Sequence, residues 1–139
     1  MVDQNCAYCM EGELVAKFGI KICELETSKV YLFKEQSHPG RCIVAHKKHV
    51  GDMNELTAEE RAAYFEDVAR VARAIMKAFN PDKVNYGAYG DTGHHLHVHL
   101  CPKYKDEYEW GGVFLMNPDK KYLTDEEYAE MIEKIKANL

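Results

Sequence analysis

From His95 to Leu100 the chain alternates polar and apolar positions without a break, within the stretch HHLHVHLCP at residues 94–102. Strict period-two alternation predicts a β-strand, because successive side chains point to opposite faces. His95, His97 and His99 then share one face, while Leu96, Val98 and Leu100 share the other. His94 falls outside this array. Same-face neighbours lie about 7 Å apart, close enough for the imidazoles to serve one ligand or two adjacent sites. Elsewhere, residues 13–36 read as two strands around the turn ETS. Residues 41–45 read as a third, entered through the turn SHPG. The stretch 57–79 has apolar residues at Phe65, Val68, Ala69, Ala72, Ile75, Met76 and Phe79, a spacing of three and four that predicts an amphipathic helix. Thr57 and Glu60 are spaced as a capping box at its start, and Pro81 ends it. Residues 84–90 form a short strand with glycines, and YEWGGVFLMNP is irregular. A last helix is striped by Tyr128, Met131, Ile132 and Ile135 and capped by Thr124 and Glu127. The order is strands, helix, strands, helix. It predicts one α+β domain over residues 1–139 with an antiparallel sheet rather than a doubly wound one.

Composition narrows the functional classes. The 139 residues and 46% hydrophobic content suit one domain with its own core. A net charge of −5 argues against a polynucleotide partner but leaves room for a local phosphate site. No apolar run reaches the ~18 residues of a membrane span, and the N-terminal segment has no signal-peptide pattern. Five cysteines without a dense framework predict a reducing, cytoplasmic compartment.

Four of the chain's seven histidines fall within residues 94–99. A solvated strand face ordinarily uses Lys, Glu and Thr, so three same-face imidazoles point to a metal site, to nucleophilic or acid–base catalysis, or to both. CAYC places Cys6 and Cys9 in a Cys-x-x-Cys pair, which reads as a redox pair, as half of a zinc site, or as a coincidence in a loose terminus. The redox reading expects a thioredoxin-like strand-to-helix junction, which is absent. The zinc reading needs two further ligands, and His49 with one histidine of the array are the candidates. Cys23, Cys42 and Cys101 sit in apolar strand contexts and read as buried small hydrophobes.

The run His95-Leu-His97-Val-His99-Leu-Cys101 resembles the signature of the histidine triad (HIT) family. PGRCIVAHKKH at 39–49 is similar to that family's strand-and-histidine segment, CAYC to the Cys-x-x-Cys of its zinc-bearing branch, and NYG at 85–87 to its Asn-x-Gly. The resemblance covers about residues 6–105. It implies a HIT-like five-stranded antiparallel sheet with two helices, assembled as a homodimer, and hydrolysis or transfer of a nucleotide at its α-phosphate. It implies that His97 is the nucleophile, forming a covalent nucleotidyl-imidazole, and that His99 contacts the phosphate and assists proton transfer. Thr92 and Asn85 are further phosphate-binding candidates, Asn85 also reading as a turn residue. Cys6, Cys9, His49 and His95 match the four ligands of a structural Zn²⁺.

The sequence departs from the family pattern where an Asp usually holds the ribose. LFKEQSHPG carries none, and Glu35 and Gln36 are the nearest substitutes. His46 stands where Pro is common and Asp91 where Gln is common, while Trp110 reads first as an ordinary packing residue and otherwise as lining the site or the dimer interface. Three readings follow: a hydrolase of a nucleoside phosphoramidate, dinucleoside polyphosphate or related nucleotide, with a nucleotidyl transferase as its close variant; a nucleotide-binding protein with little catalysis; and an open catalytic zinc held by all three triad histidines.

Overall fold

A computed structural model describes residues 2–139. Five strands, β1 (Gly19–Glu24), β2 (Ser28–Phe33), β3 (Cys42–His46), β4 (Lys83–Gly87) and β5 (His97–Lys103), form one sheet in the order β1-β2-β3-β5-β4. Every neighbouring pair is antiparallel. Four α-helices complete it: α1 (Ala7–Met10), α2 (Gly12–Ala16), α3 (Ala58–Phe79) and α4 (Asp125–Lys136). The expected sheet and both long helices are present. The strand expected from residue 13 is not: residues 12–16 are a helical turn, and β1 begins only at Gly19.

The alternation along β5 divides the molecule. Leu96, Val98 and Leu100 enter a large core with Val30, Leu32 and Val44 under α3 and α4. The opposite face carries His97, His99, Cys101 and Lys103, and β3 adds Ile43 opposite His99 and Ala45 opposite His97. Tyr8 and Val15 from the two short helices close part of this second face against Tyr31, Phe33, Ile43 and Ala45.

Helix α3 is rotated from the predicted stripe. Tyr64, Asp67, Val68, Val71, Ala72, Ala74, Ile75 and Ala78 are buried, whereas Phe65 and Met76 are exposed. Two polar anchors account for this. The Tyr64 hydroxyl donates to the Val44 carbonyl at 2.8 Å. The Asp67 carboxylate accepts from Thr27 N, Thr27 Oγ1 and Ser28 Oγ at 2.7–2.9 Å, tying the helix to the β1–β2 turn. A periodicity reading counts apolar residues only and misses an acid that faces inward. At the helix start Thr57 caps Glu60 N, but the Glu60 carboxylate pairs with Lys48 at 2.9 Å and does not close the box. Asn80 ends the helix in the left-handed conformation, its N–H returning to Met76 O. The box at Thr124 and Glu127 forms in full.

Asp67→Ala leaves three donors at a buried junction without their charged acceptor. Urea unfolding should show a loss of about 2–4 kcal/mol with an unchanged m-value.

Candidate active site and metal centre

The N-terminal segment approaches the sheet where β3 ends and β5 begins. One turn of α1 brings Cys6 and Cys9 to the same side, the ordinary result of an i, i+3 spacing. Cys6 Sγ lies 3.3 Å from His95 Nδ1. Cys9 Sγ lies 3.2 Å from His49 Nδ1 and 3.6 Å from His95 Nδ1. The two Nδ1 atoms are 3.2 Å apart, and all four ligand atoms lie within 4.8 Å of one another. These separations match the edges of a tetrahedron around Zn²⁺, for which Zn–N is about 2.0–2.1 Å and Zn–S about 2.3 Å.

The donor chemistry fits as well. His95 Nε2–H donates to the His46 carbonyl at 2.5 Å, which leaves the Nδ1 lone pair facing the thiols. Burial, followed by the neighbouring histidines, depresses the His95 pKa to about 4 and keeps the ring neutral. Asp3 Oδ2 stands 3.8 Å from His49 Nε2, on the far side of that ring from the thiols. Soft thiolates with two imidazoles suit zinc, and four protein ligands make a closed, structural site. None of the five cysteines is in a disulfide.

His97 lies two residues further along. Its Nδ1–H donates to the His95 carbonyl at 2.7 Å, so the proton resides on Nδ1 and the lone pair on Nε2. Nε2 is not among the buried polar atoms lacking a partner, and His97 lines the large cavity on this face. Burial lowers the pKa of the ring, so it stays neutral and nucleophilic. The Tyr8 ring covers both His95 and His97, at centroid distances of 5.4 and 5.1 Å.

His99 is held differently. Arg41 Nη2 lies 3.1 Å from His99 Nδ1. Guanidinium only donates, so Nδ1 accepts and the proton of His99 sits on Nε2. Burial, then the Arg41 charge, then His97 push its pKa down to about 3. The triad thus presents one imidazole to the metal centre, one lone pair to the cavity and one N–H donor.

The cavity measures about 1040 Å³. The triad and the 91–94 loop form one side; Phe18, Phe33 and Ile43 form an apolar wall. Val113, Phe114, Met116 and Asn117, from the segment after β5, complete it. Thr92 lines this cavity. Asn85 does not: it sits on β4 opposite Cys101, outside the lining.

Two readings need correction. Glu35 and Gln36 cannot stand in for a ribose-binding acid. The Glu35 carboxylate is spent on Ser37, Lys120 N and Lys121 N, and Gln36 on Phe33 O and Gly40 N. An open zinc shared by three triad histidines also finds no support: among the described residues the one cluster with metal-ligand spacing is Cys6, Cys9, His49 and His95, and His99 turns its Nδ1 to Arg41. Trp110 stands outside the cavity, which draws instead on Phe114 and Met116 of the same segment. Sequence reasoning missed Arg41, Tyr8 and Phe33 as site residues. Once β3 is registered against β5, Arg41 falls on the histidine face by alternation from Ile43, but that register is a tertiary fact.

A Cys₂His₂ cluster with metal-ligand spacing thus lies next to an imidazole held in one tautomer at the wall of an open cavity, and comparison with known proteins gives the family. The HIT domain family model matches residues 19–106, and the chain belongs to that family. It is 27% identical over 116 residues to adenosine 5'-monophosphoramidase hnt1 of Schizosaccharomyces pombe, covering 77% of this chain and 80% of that protein. The structure of a histidine triad protein from Sinorhizobium meliloti superposes with a TM-score of 0.84 at 25% identity, covering 92% and 95% of the two chains. A Zn-bound histidine triad family protein from Mycobacterium smegmatis shares the fold, with a TM-score of 0.67 at 21% identity and coverage of 95% and 94%.

Metal analysis of purified variants separates the two kinds of histidine: Cys6→Ser and His95→Ala should lose the bound ion, and His97→Ala should keep it. Protonation supplies a second check. The folded pKa of His99, about 3, lies below its ordinary 6.5. The unfolded chain therefore takes up this proton first, and the associated stability is complete above pH 6.5 and falls as the pH drops toward 3. Urea midpoints measured between pH 7 and pH 5 should fall less steeply in His99→Asn than in the wild type, by up to about 1.4 kcal/mol per pH unit.

Proposed function

We propose that this protein is a nucleotide hydrolase acting at the α-phosphate of a nucleoside phosphoramidate, dinucleoside polyphosphate or related nucleotide, through a covalent nucleotidyl-His97 intermediate. One observation carries the reading: His97 Nδ1–H donates to the His95 carbonyl, leaving the Nε2 lone pair toward a cavity of nucleotide size. The name of the Schizosaccharomyces pombe relative supports the phosphoramidate class.

The chemistry follows from the arrangement. His97 Nε2 attacks the α-phosphorus, and the bond from phosphorus to the leaving amine or phosphate breaks as the Nε2–P bond forms. The leaving group departs with the bonding pair and takes a proton from solvent water. A second water then attacks the same phosphorus and gives up a proton to solvent, the P–Nε2 bond breaks, and its electron pair returns to Nε2. Charge growing on the non-bridging oxygens meets His99 Nε2–H, the Thr92 hydroxyl and backbone N–H groups of the 91–93 loop. The hydrogen bond to the His95 carbonyl stabilises the imidazolium-like ring while phosphorus is attached.

Cys6, Cys9, His49 and His95 would hold Zn²⁺, which would pin the N-terminal segment to the sheet and with it the carbonyl that orients His97. The Zn-bound Mycobacterium smegmatis protein supports this choice of metal. We place the protein in the cytoplasm as a homodimer. Its thiols are all free, among the described residues no helix is long and apolar enough to cross a membrane, and the outer strand β4 carries exposed Tyr86 beside exposed Met76 of α3.

With adenosine phosphoramidate as substrate, His97→Ala should lower kcat at least about 10³-fold while binding of adenosine monophosphate, followed by calorimetry, stays within a few-fold. Full turnover by that variant would sink the reading.

A further inference from the structure

Arg41 is fully buried, yet among the described residues no carboxylate lies within ion-pairing distance of it. A buried cation without an anionic partner is costly to fold around. This one is held by geometry instead. Its guanidinium lies over the Phe33 ring at 4.1 Å and the Phe114 ring at 4.7 Å. One Nη donates to Leu115 O at 3.0 Å. The other donates to Met116 O at 3.0 Å and faces His99 Nδ1 at 3.1 Å. Nε is buried without a partner, so the fork is aimed at the loop carbonyls and the imidazole at the expense of its own third donor direction.

From this we infer that Arg41 is a positioning residue: it locks His99 as the Nε2–H tautomer and ties that donor to the 113–116 wall of the cavity. The inference rests on the proposed phosphoryl chemistry for its catalytic meaning, but not for its structural content. Without a donor at Nδ1, His99 is free to move its proton to that nitrogen and turn an acceptor toward the phosphoryl oxygens, where it repels rather than stabilises. The same guanidinium holds Leu115 and Met116, so a shift of the wall and a shift of the donor are coupled. An apolar side chain of similar length would fill the space between Phe33 and Phe114 but could not impose the tautomer.

The test uses full-length, zinc-loaded protein labelled with ¹⁵N in its imidazoles. Long-range ¹H–¹⁵N spectra at neutral pH, with His99 assigned through His99→Asn, should show the Nε2–H tautomer in the wild type. Arg41→Met should shift His99 to the Nδ1–H form or to a mixture. It should also lower kcat for adenosine phosphoramidate by about 10- to 100-fold with KM changed less than about three-fold. Arg41→Lys, which restores one donor, should recover the Nε2–H signal and part of the rate. If Arg41→Met does not fold, Arg41→Gln takes its place, with partial recovery expected of its amide donor. An Nδ1–H tautomer in the wild type, or an unchanged Nε2–H signal in Arg41→Met, would overturn the inference, even if the rate fell. Wild-type protein with no turnover would count against the hydrolase reading, while the tautomer spectra would still decide the role of Arg41.

Discussion

His95 belongs to both halves of the site, and everything else is arranged around it. Its ring faces the cysteine thiols through Nδ1 while Nε2–H is held by the His46 carbonyl. Its own carbonyl accepts a hydrogen bond from His97 Nδ1–H. Two hydrogen bonds, to the backbone carbonyls of His46 and His95, therefore fix two tautomers in series, one for the metal-ligand cluster and one for the cavity. Neither needs a buried acid, which in this apolar setting would be costly to ionise. An ion held by Cys6, Cys9, His49 and His95 would act through position: it would fix where the His95 backbone lies, and with it where the His97 lone pair points.

The sheet makes this economical. Strand β5 gives one face to the main core and the other to the site, so the packing of Val98 and Leu100 under α3 fixes the depth of His97 and His99. Both histidines are nearly inaccessible, which keeps them neutral at ordinary pH. The third imidazole is set from β3 and from the segment after β5. Lys103 reinforces that segment by donating to Glu109 O and Gly112 O, and Glu109 returns a contact to His38 at 2.6 Å. The cavity wall is thus anchored to the strand that carries the triad.

Much of this was legible in the sequence, for a definite reason. Period-two alternation at 95–100 is a local signal, and it placed the histidines on one face and their apolar neighbours on the other. The Cys-x-x-Cys spacing and the Thr124 capping box are equally local. What escaped was tertiary. The inward turn of Asp67 rotated α3 away from its apolar stripe. The residues 12–16 coiled into a helical turn although their apolar content resembles a strand's. Glu35 was read as free for a ligand because nothing in its neighbours announces that Lys120 and Lys121, far along the chain, supply it with backbone donors. Arg41 carried no signal at all until the β3–β5 register set it beside His99. Asn85 had the right sequence neighbours and the wrong strand position.

The central claim is that Nε2 of His97 is the atom that bonds to phosphorus. The wild-type protein mixed with adenosine phosphoramidate and quenched within one turnover in alkali should carry an adenylyl group that maps by mass spectrometry to His97. The isomer of the trapped linkage should be the Nε2-substituted imidazole. An adduct on His97 Nδ1, on another residue, or none at all while product accumulates would contradict the account.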